Sequence, residues 1–107
     1  MKFVNKYLEG ADREHLVLIT LDIKNNITSI STVSIGSLNS SIVHLREVFK
    51  VAILSNSASI IMAHNHPSGD STPSKEDINI THRIKECGKI LGIELLDHLI
   101  IGDEKIY

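Results

Sequence analysis

The sequence is poor in several residue types whose scarcity narrows its possible classes. Its 107 residues include no Trp, two Tyr, two Phe and a single Cys. The lone Cys87 excludes an internal disulfide and any zinc site built from two or more cysteines. Hydrophobic residues make up 42% of the chain, so the core must consist mainly of Ile, Leu, Val and Ala. A chain of this length is predicted to form one domain, 1–107.

The charge balance argues against direct nucleic-acid binding. The chain has 11 Lys+Arg and 13 Asp+Glu, a formal charge of −2, whereas nucleic-acid binding usually requires a basic face. We therefore expect nucleic acid as a partner only through domains outside this sequence. No signal peptide or membrane-length apolar run is recognisable. With the lone cysteine, this predicts a cytoplasmic protein that does not associate with membranes. Both chain ends look cut, which suggests a piece of a longer protein.

Hydrophobic periodicity predicts the element order β-β-α-β-α-β. The predicted strands are His15–Leu21, Ile27–Ile35, Ala58–Ala63 and Leu95–Ile101, and the predicted helices are roughly 43–55 and 75–91. Gly92 stands where a helix-ending glycine belongs, and His64–Pro73 is predicted to be a loop. This order implies an α/β sandwich in which helices pack on a mixed sheet.

A pair of histidines follows the short apolar strand predicted at Ala58–Ala63. In extended chain, side chains two residues apart project on the same side, so His64 and His66 point together. Pro67 holds His66 in the β or polyproline region, which preserves that geometry. Two neutral imidazoles at the mouth of a buried strand are suitable ligands for zinc. A pair of loop histidines that binds nothing is the alternative interpretation.

The start of the second predicted helix supplies a third candidate ligand. Ser74 follows Pro73 and is the natural N-cap, which places Asp77 at the third helical position, facing the helix start. A simple capping box is the alternative. However, the helix dipole stabilises a charged carboxylate there, and the seven residues between His66 and Ser74 can fold back. The pattern thus predicts one Zn²⁺ per chain, bound by His64, His66 and Asp77, with the open fourth position of a catalytic site.

These residues resemble the metalloprotease motif of JAB1/MPN/Mov34 (JAMM) domains, which reads His-x-His, seven residues, Ser, two residues, Asp. The segments that are similar to the RadC branch of that family, historically labelled as DNA repair proteins, are Arg46–Lys50, Ala63–Asp70, Pro73–Ser74 and Leu96–His98. The resemblance runs from about Arg13 to the C-terminus. It implies a JAB1/MPN-like (cytidine-deaminase-like) α/β fold and the C-terminal domain of a longer protein. Leu45 departs from the family, which has proline there.

The resemblance also implies a reaction. In this family a zinc ion lowers the pKa of a water and polarises the scissile carbonyl. A glutamate that does not bind the zinc takes the proton of the water and passes it to the leaving amine. By the same resemblance, the Ser74 hydroxyl donates a hydrogen bond to the oxyanion of the tetrahedral intermediate.

Two glutamates compete for the role of base. The family glutamate lies just before the first strand, which points to Glu14. Glu47 lies in a segment that closely matches the RadC branch, but on the predicted helix. Because its neighbours Val48 and Phe49 face the core, the alternative interpretation of Glu47 is an exposed helix residue. An ordinary solvated side chain is the alternative interpretation for Glu14 as well.

Asp97 and His98 are weaker candidates that could support a zinc-bound histidine. Such a histidine needs a partner on its second ring nitrogen. Adjacent strand residues point to opposite faces of a sheet, so at most one of the two can reach the site. An ordinary core or surface histidine is an equally good interpretation of His98.

Three functions remain open. The favoured one is a zinc metallohydrolase of JAMM type that cleaves amide bonds in an unidentified peptide or protein substrate. The alternatives are an MPN-like binding module without turnover and a DNA-processing or repair factor. The complete ligand set and Ser74 favour the hydrolase over the binding module. The charge of −2 counts against the third function.

Overall fold

The computed structural model of the chain describes residues 15–35, 41–65, 75–102 and 105–106. The strands in these ranges are β1 (His15–Leu21), β2 (Ile27–Ile35), β3 (Ser59–Asn65), β4 (Glu94–Gly102) and β5 (Lys105–Ile106). The helices in the same ranges are α1 (Ser41–Leu54) and α2 (Lys75–Leu91). The predicted order is confirmed, and the two-residue β5 extends it.

The strands form one mixed sheet in the spatial order β2-β1-β3-β4-β5. β1 pairs antiparallel with β2 on one side and with β3 on the other. β3 and β4 run parallel, and β5 returns antiparallel to β4. The α/β class with a mixed sheet and packed helices is therefore confirmed. β1 and β3 occupy central positions, which explains why they read as nearly continuous apolar runs in the sequence.

The third strand is longer than the sequence pattern predicted. It was expected to end at Ala63, yet it continues through Asn65. The reason is pairing on both sides, because His64 lies opposite Leu16 of β1 and opposite Ile100 of β4. His64 is consequently a strand residue, and its prediction as the first residue of a loop is wrong.

The two faces of the sheet carry separate apolar clusters. The face covered by the helices includes Leu16 and Leu18 of β1 and Ile60 and Met62 of β3, packed with buried residues of both helices. The opposite face has a smaller cluster formed by Val17, Ile19, Ala63 and Ile101. Side chains alternate along a strand, so His64 projects from the helix-covered face.

A tight turn joins the C-terminal end of α2 to the start of β4. Gly92 has a φ of 75°, as predicted for a glycine that ends a helix, and the amide of Ile93 donates to the Gly88 carbonyl at 2.9 Å. A Cβ at Gly88 would collide with the Ile93 carbonyl oxygen and would lie 3.9 Å from the Phe49 ring. Only glycine therefore lets α2, α1 and the start of β4 meet so closely. Neither helix of the described part is long and apolar enough to cross a membrane.

Candidate metal centre

One edge of the sheet gathers the ends of three strands. β3 ends at Asn65, and the antiparallel β1 begins beside it, with Leu16 opposite His64. The parallel β4 reaches the same level at Ile100. The register therefore brings the end of β3, the start of β1 and the end of β4 to one edge of the sheet.

The His64 side chain lies inside the protein and not on a loop. Only 1% of the residue is exposed, and it continues the row of Ile60 and Met62 beneath the helices. His64 is therefore a buried strand residue. A buried polar ring is retained at a cost unless it has a polar partner, and metal coordination is one way to satisfy that requirement.

The amide side chain of Asn65 joins β3 to the first residue of β1. Its Oδ1 accepts a hydrogen bond from the backbone N–H of His15 at 2.5 Å, and Asn65 is 5% exposed. The backbone pairing of β1 with β3 ends at Leu16 and His64. The side-chain hydrogen bond of Asn65 to His15 continues the contact between the two strands beyond that point. The start of β1 is thereby attached to the end of β3 that carries His64.

A second polar contact attaches α2 to the sheet. Thr81 Oγ1 and His98 Nδ1 lie 2.5 Å apart, and His98 pairs in register with Met62. His98 therefore shares the helix-covered face with His64. The tautomer of the His98 imidazole decides whether Thr81 Oγ1 or His98 Nδ1 is the donor. The contact gives His98 a role in docking the helix.

The contact between Thr81 and His98 indicates where position 77 lies along the strand direction of the sheet. Residues 77 and 81 lie on the same side of α2, about 6 Å apart along the helix axis. The helix returns between two parallel strands, so it runs opposite to them and its start lies at the His64 edge. The backbone at position 77 therefore lies at the same end of the sheet as His64.

Several predicted site residues cannot be placed. Glu14, His66 and Ser74 lie outside the described residues, as does the side chain of Asp77. Within the described ranges, no group of three or more His, Cys, Asp or Glu side chains could hold a metal ion. Of the predicted zinc ligands, His64 is the one whose side chain is described, and the full ligand set stays a prediction.

Glu47 is the one of the two candidate bases that lies within the described residues. It is half-buried on α1, two residues before Phe49. The Phe49 ring lies near Gly88 of α2. The choice between Glu14 and Glu47 stays a prediction.

Asp97 and His98 point to opposite faces, as predicted for neighbours in a strand. Asp97 is exposed and pairs with Ile61, a residue packed against the cluster on the face away from the helices. Its Oδ1 accepts a hydrogen bond from the His98 amide at 2.8 Å. Of the two, His98 shares the face with His64.

Asn65 and Thr81 contribute to this edge and were not predicted as site residues. Asn65 follows His64 in β3 and therefore projects from the opposite face of the sheet. Thr81 is four residues after Asp77, on the same side of the helix. That spacing was the available signal for a residue that orients the ligand-bearing helix.

Comparison with known proteins gives consistent matches. The sequence model of the family described as RadC-like JAB domain matches residues 1–107. A UPF0758 protein from Geobacillus thermodenitrificans (strain NG80-2) is 60% identical over 104 residues, which are 97% of this chain and 46% of that protein. A UPF0758 protein from Clostridium tetani (strain Massachusetts / E88) is 65% identical over 91 residues, which are 85% of this chain and 40% of that protein.

A UPF0758 protein from Clostridium botulinum (strain ATCC 19397 / Type A) is 63% identical over 100 residues, which are 94% of this chain and 42% of that protein. The chain thus spans less than half the length of these curated relatives.

Proposed function

Because the chain belongs to the RadC-like JAB domain family, we propose that it is a zinc-dependent hydrolase that cleaves amide bonds of peptide or isopeptide type. The observation that carries the proposal is the convergence of three elements at one sheet edge. Buried His64 is the penultimate residue of β3, β1 begins beside it, and the first turn of α2 lies at the same end of the sheet. The proposal concerns this domain, since the relatives are more than twice as long.

The residues at this edge are chemically suited to zinc. Imidazole nitrogen and carboxylate oxygen are normal zinc ligands, and three protein ligands are typical of a catalytic site. His64, His66 and Asp77 would hold the ion. The helix begins at Lys75, so position 77 lies in its first turn, where the helix dipole favours a charged carboxylate. When bound, zinc would supply a Lewis acid and a water whose pKa is lowered toward neutrality.

Glu14 would move the proton. It directly precedes His15, whose amide donates to the side chain of Asn65, the residue after His64. Glu14 is thus one residue away from the proposed metal edge, the end of the sheet where β3 ends at Asn65 and β1 begins at His15. A general base must come within hydrogen-bond reach of the water, directly or through one more water. The family order, in which the glutamate lies just before the first strand, favours Glu14 over Glu47 as the base.

Ser74 would stabilise the developing oxyanion. It immediately precedes the first residue of α2, where free backbone N–H groups and the helix dipole favour negative charge. A hydroxyl donor at that place adds a hydrogen bond that strengthens as the carbonyl oxygen gains charge.

Metal analysis tests the ligands. At neutral pH the chain should bind about one zinc ion, and His64→Ala should weaken zinc binding while the far-UV circular dichroism spectrum stays that of a folded protein. Undiminished zinc affinity in His64→Ala would contradict the site. The measurement belongs near neutrality, because acid protonates histidine ligands and releases metal.

Paired glutamate variants test the base. With a fluorogenic isopeptide or peptide substrate, Glu14→Gln should keep its zinc and lose turnover by a factor of about 10² or more, because the amide cannot accept the proton. Glu47→Gln is the matched control and should stay within a few-fold of the parent. The reverse pattern would assign the base to Glu47. Zinc binding by a parent chain that hydrolyses no amide substrate would favour the MPN-like binding module instead.

A further inference from the structure

A groove of about 470 Å³ lies between α1 and α2, separate from the metal edge. Its apolar lining comes from Leu45, Phe49 and Ile53 of α1 and Cys87 of α2. Phe49 is buried in the core and Leu45 and Cys87 pack against it, whereas Ile53 is 53% exposed. The groove therefore has an apolar floor that is part of the core, and one apolar side chain of its lining, Ile53, is exposed to solvent.

Cationic side chains complete the groove, and none of the described residues that line it carries a carboxylate. Arg46 and Lys50 lie one turn apart on α1, and Arg83 stands on α2. All three are exposed. Within the described ranges, no ion pair neutralises Arg46 or Lys50. This local excess of positive charge stands out in a chain whose net charge is −2.

We propose that this groove binds an acidic peptide segment of a partner protein, with apolar side chains in the groove and carboxylates against Arg46 and Lys50. An amphipathic segment that lays apolar anchors between two helices is a common recognition mode. Buried apolar anchors supply most of the affinity, and rim charges select the partner and speed association. The apolar floor favours a peptide over a nucleic acid, whose backbone offers only charge to such a surface.

The groove is a docking surface and takes no part in the proposed hydrolysis. Phe49 lies beside Gly88 at the end of α2, away from the sheet edge where His64 is found. Binding at the groove and turnover at the metal edge can therefore be measured independently. A failed hydrolysis experiment leaves the docking proposal intact, and the reverse also holds.

Fluorescence anisotropy with a synthetic probe tests the proposal. The probe is a labelled amphipathic peptide with leucines at helical spacing flanked by glutamates. We expect Arg46→Glu/Lys50→Glu to weaken its binding by about tenfold or more at low salt. The matched control is Lys24→Glu/Lys85→Glu, which makes the same charge change at exposed lysines outside the groove and should bind within about twofold of the parent. Circular dichroism checks that both variants are folded.

Two further peptides test the apolar and charged parts of the recognition separately. Replacing the leucines of the probe with alanine, or its glutamates with lysine, should each abolish detectable binding. The variant Ile53→Asn, at a half-exposed position, should weaken the probe without changing the charge.

Five results would overturn the proposal. The first three are an equal loss of binding in both charge-reversal variants, undiminished binding of the alanine or lysine peptide, and no binding of the acidic probe at millimolar concentration. The fourth is displacement of the probe by a single-stranded oligonucleotide at a concentration below that of the probe, which would assign the groove to nucleic acid. The fifth is a dimer in sedimentation velocity that disappears with Arg46→Glu/Lys50→Glu, which would assign the groove to a second copy of the chain.

Discussion

Replacing Asn65 with alanine tests whether one side chain holds the start of β1 at the metal edge. In the parent, the Asn65 amide oxygen accepts the His15 N–H at 2.5 Å. Alanine keeps the strand conformation but removes this acceptor. The change should therefore loosen the first residue of β1 and leave the pairing of Leu16 with His64 intact.

The expected cost follows from the burial of the two partners. A neutral hydrogen bond contributes about 0.5–1.5 kcal/mol to stability, and an orphaned buried donor costs about 1–3 kcal/mol. His15 is only half-buried, so water can reach its N–H and the loss should be about 1 kcal/mol. That figure corresponds to a fall of about 4 °C in the melting temperature and to about fivefold faster exchange of the His15 amide with solvent.

The effect on activity should be larger than the effect on stability. If Glu14 is the base, its position depends on His15, and a displacement of about 1 Å at a catalytic group can reduce turnover by about 10²-fold. Asn65→Ala should thus retain zinc and lose much more than fivefold in turnover. The control is Asn79→Ala, the same replacement at an exposed position of α2, which should leave amide exchange, zinc content and turnover unchanged.

Two results would refute this reasoning. Unchanged exchange of the His15 amide in Asn65→Ala would mean that the side chain does not hold the start of β1. Faster exchange with turnover equal to that of the parent would mean that the start of β1 contributes nothing to the reaction. Hydrogen exchange followed by nuclear magnetic resonance and a fluorogenic hydrolysis assay measure the two quantities separately.

Three further predictions follow from other parts of the chain. Gly88→Ala should lower the free energy of unfolding in urea by about 1–3 kcal/mol, because the new Cβ would collide with the Ile93 carbonyl. The Asn26 and Lys24 amides donate to Asp22 and lower its pKa in the folded state, so its stabilising effect is present above pH ~4 and disappears as the pH falls through the folded value. Asp22→Asn should flatten this acid-side dependence in denaturation curves recorded across that range. EDTA should lower the melting temperature without unfolding the chain, since His64 is the one predicted ligand in the described core and apolar side chains make up its clusters.

Much of the fold could be predicted because the hydrophobic pattern of each segment agrees with its burial in the folded chain. β1 and β2 have the predicted bounds, since unbroken β-rich runs and an intervening turn are visible in the sequence itself. The end of β3 was misjudged because it depends on partners: Leu16 and Ile100 both pair with His64, and neither lies near it in sequence. Pairing register is a tertiary property that periodicity does not contain.

The ligand set of the candidate site stays a prediction, whereas its supporting contacts were not predicted at all. The spacing of His64, His66 and Asp77 suggested a zinc site, and a resemblance supplied the role of Glu14. The contact between Thr81 and His98 escaped prediction because it joins a helix to a strand seventeen residues later. The groove between the helices escaped for the same reason, since its lining combines residues from two elements that meet only in the folded chain.

The antiparallel pairing of β1 with β3 has a consequence for how the protein folds. β1 and β2 are joined by a short turn and can form a hairpin within microseconds, whereas His15 and Asn65 are 50 positions apart, and their meeting must wait for closure of a long loop. Until β3 arrives, β1 presents an open edge on which another chain can pair. A nascent chain that has formed only the hairpin therefore has an aggregation-prone edge and lacks the strand that carries His64, so binding of the proposed zinc ion would follow strand assembly and could not nucleate it.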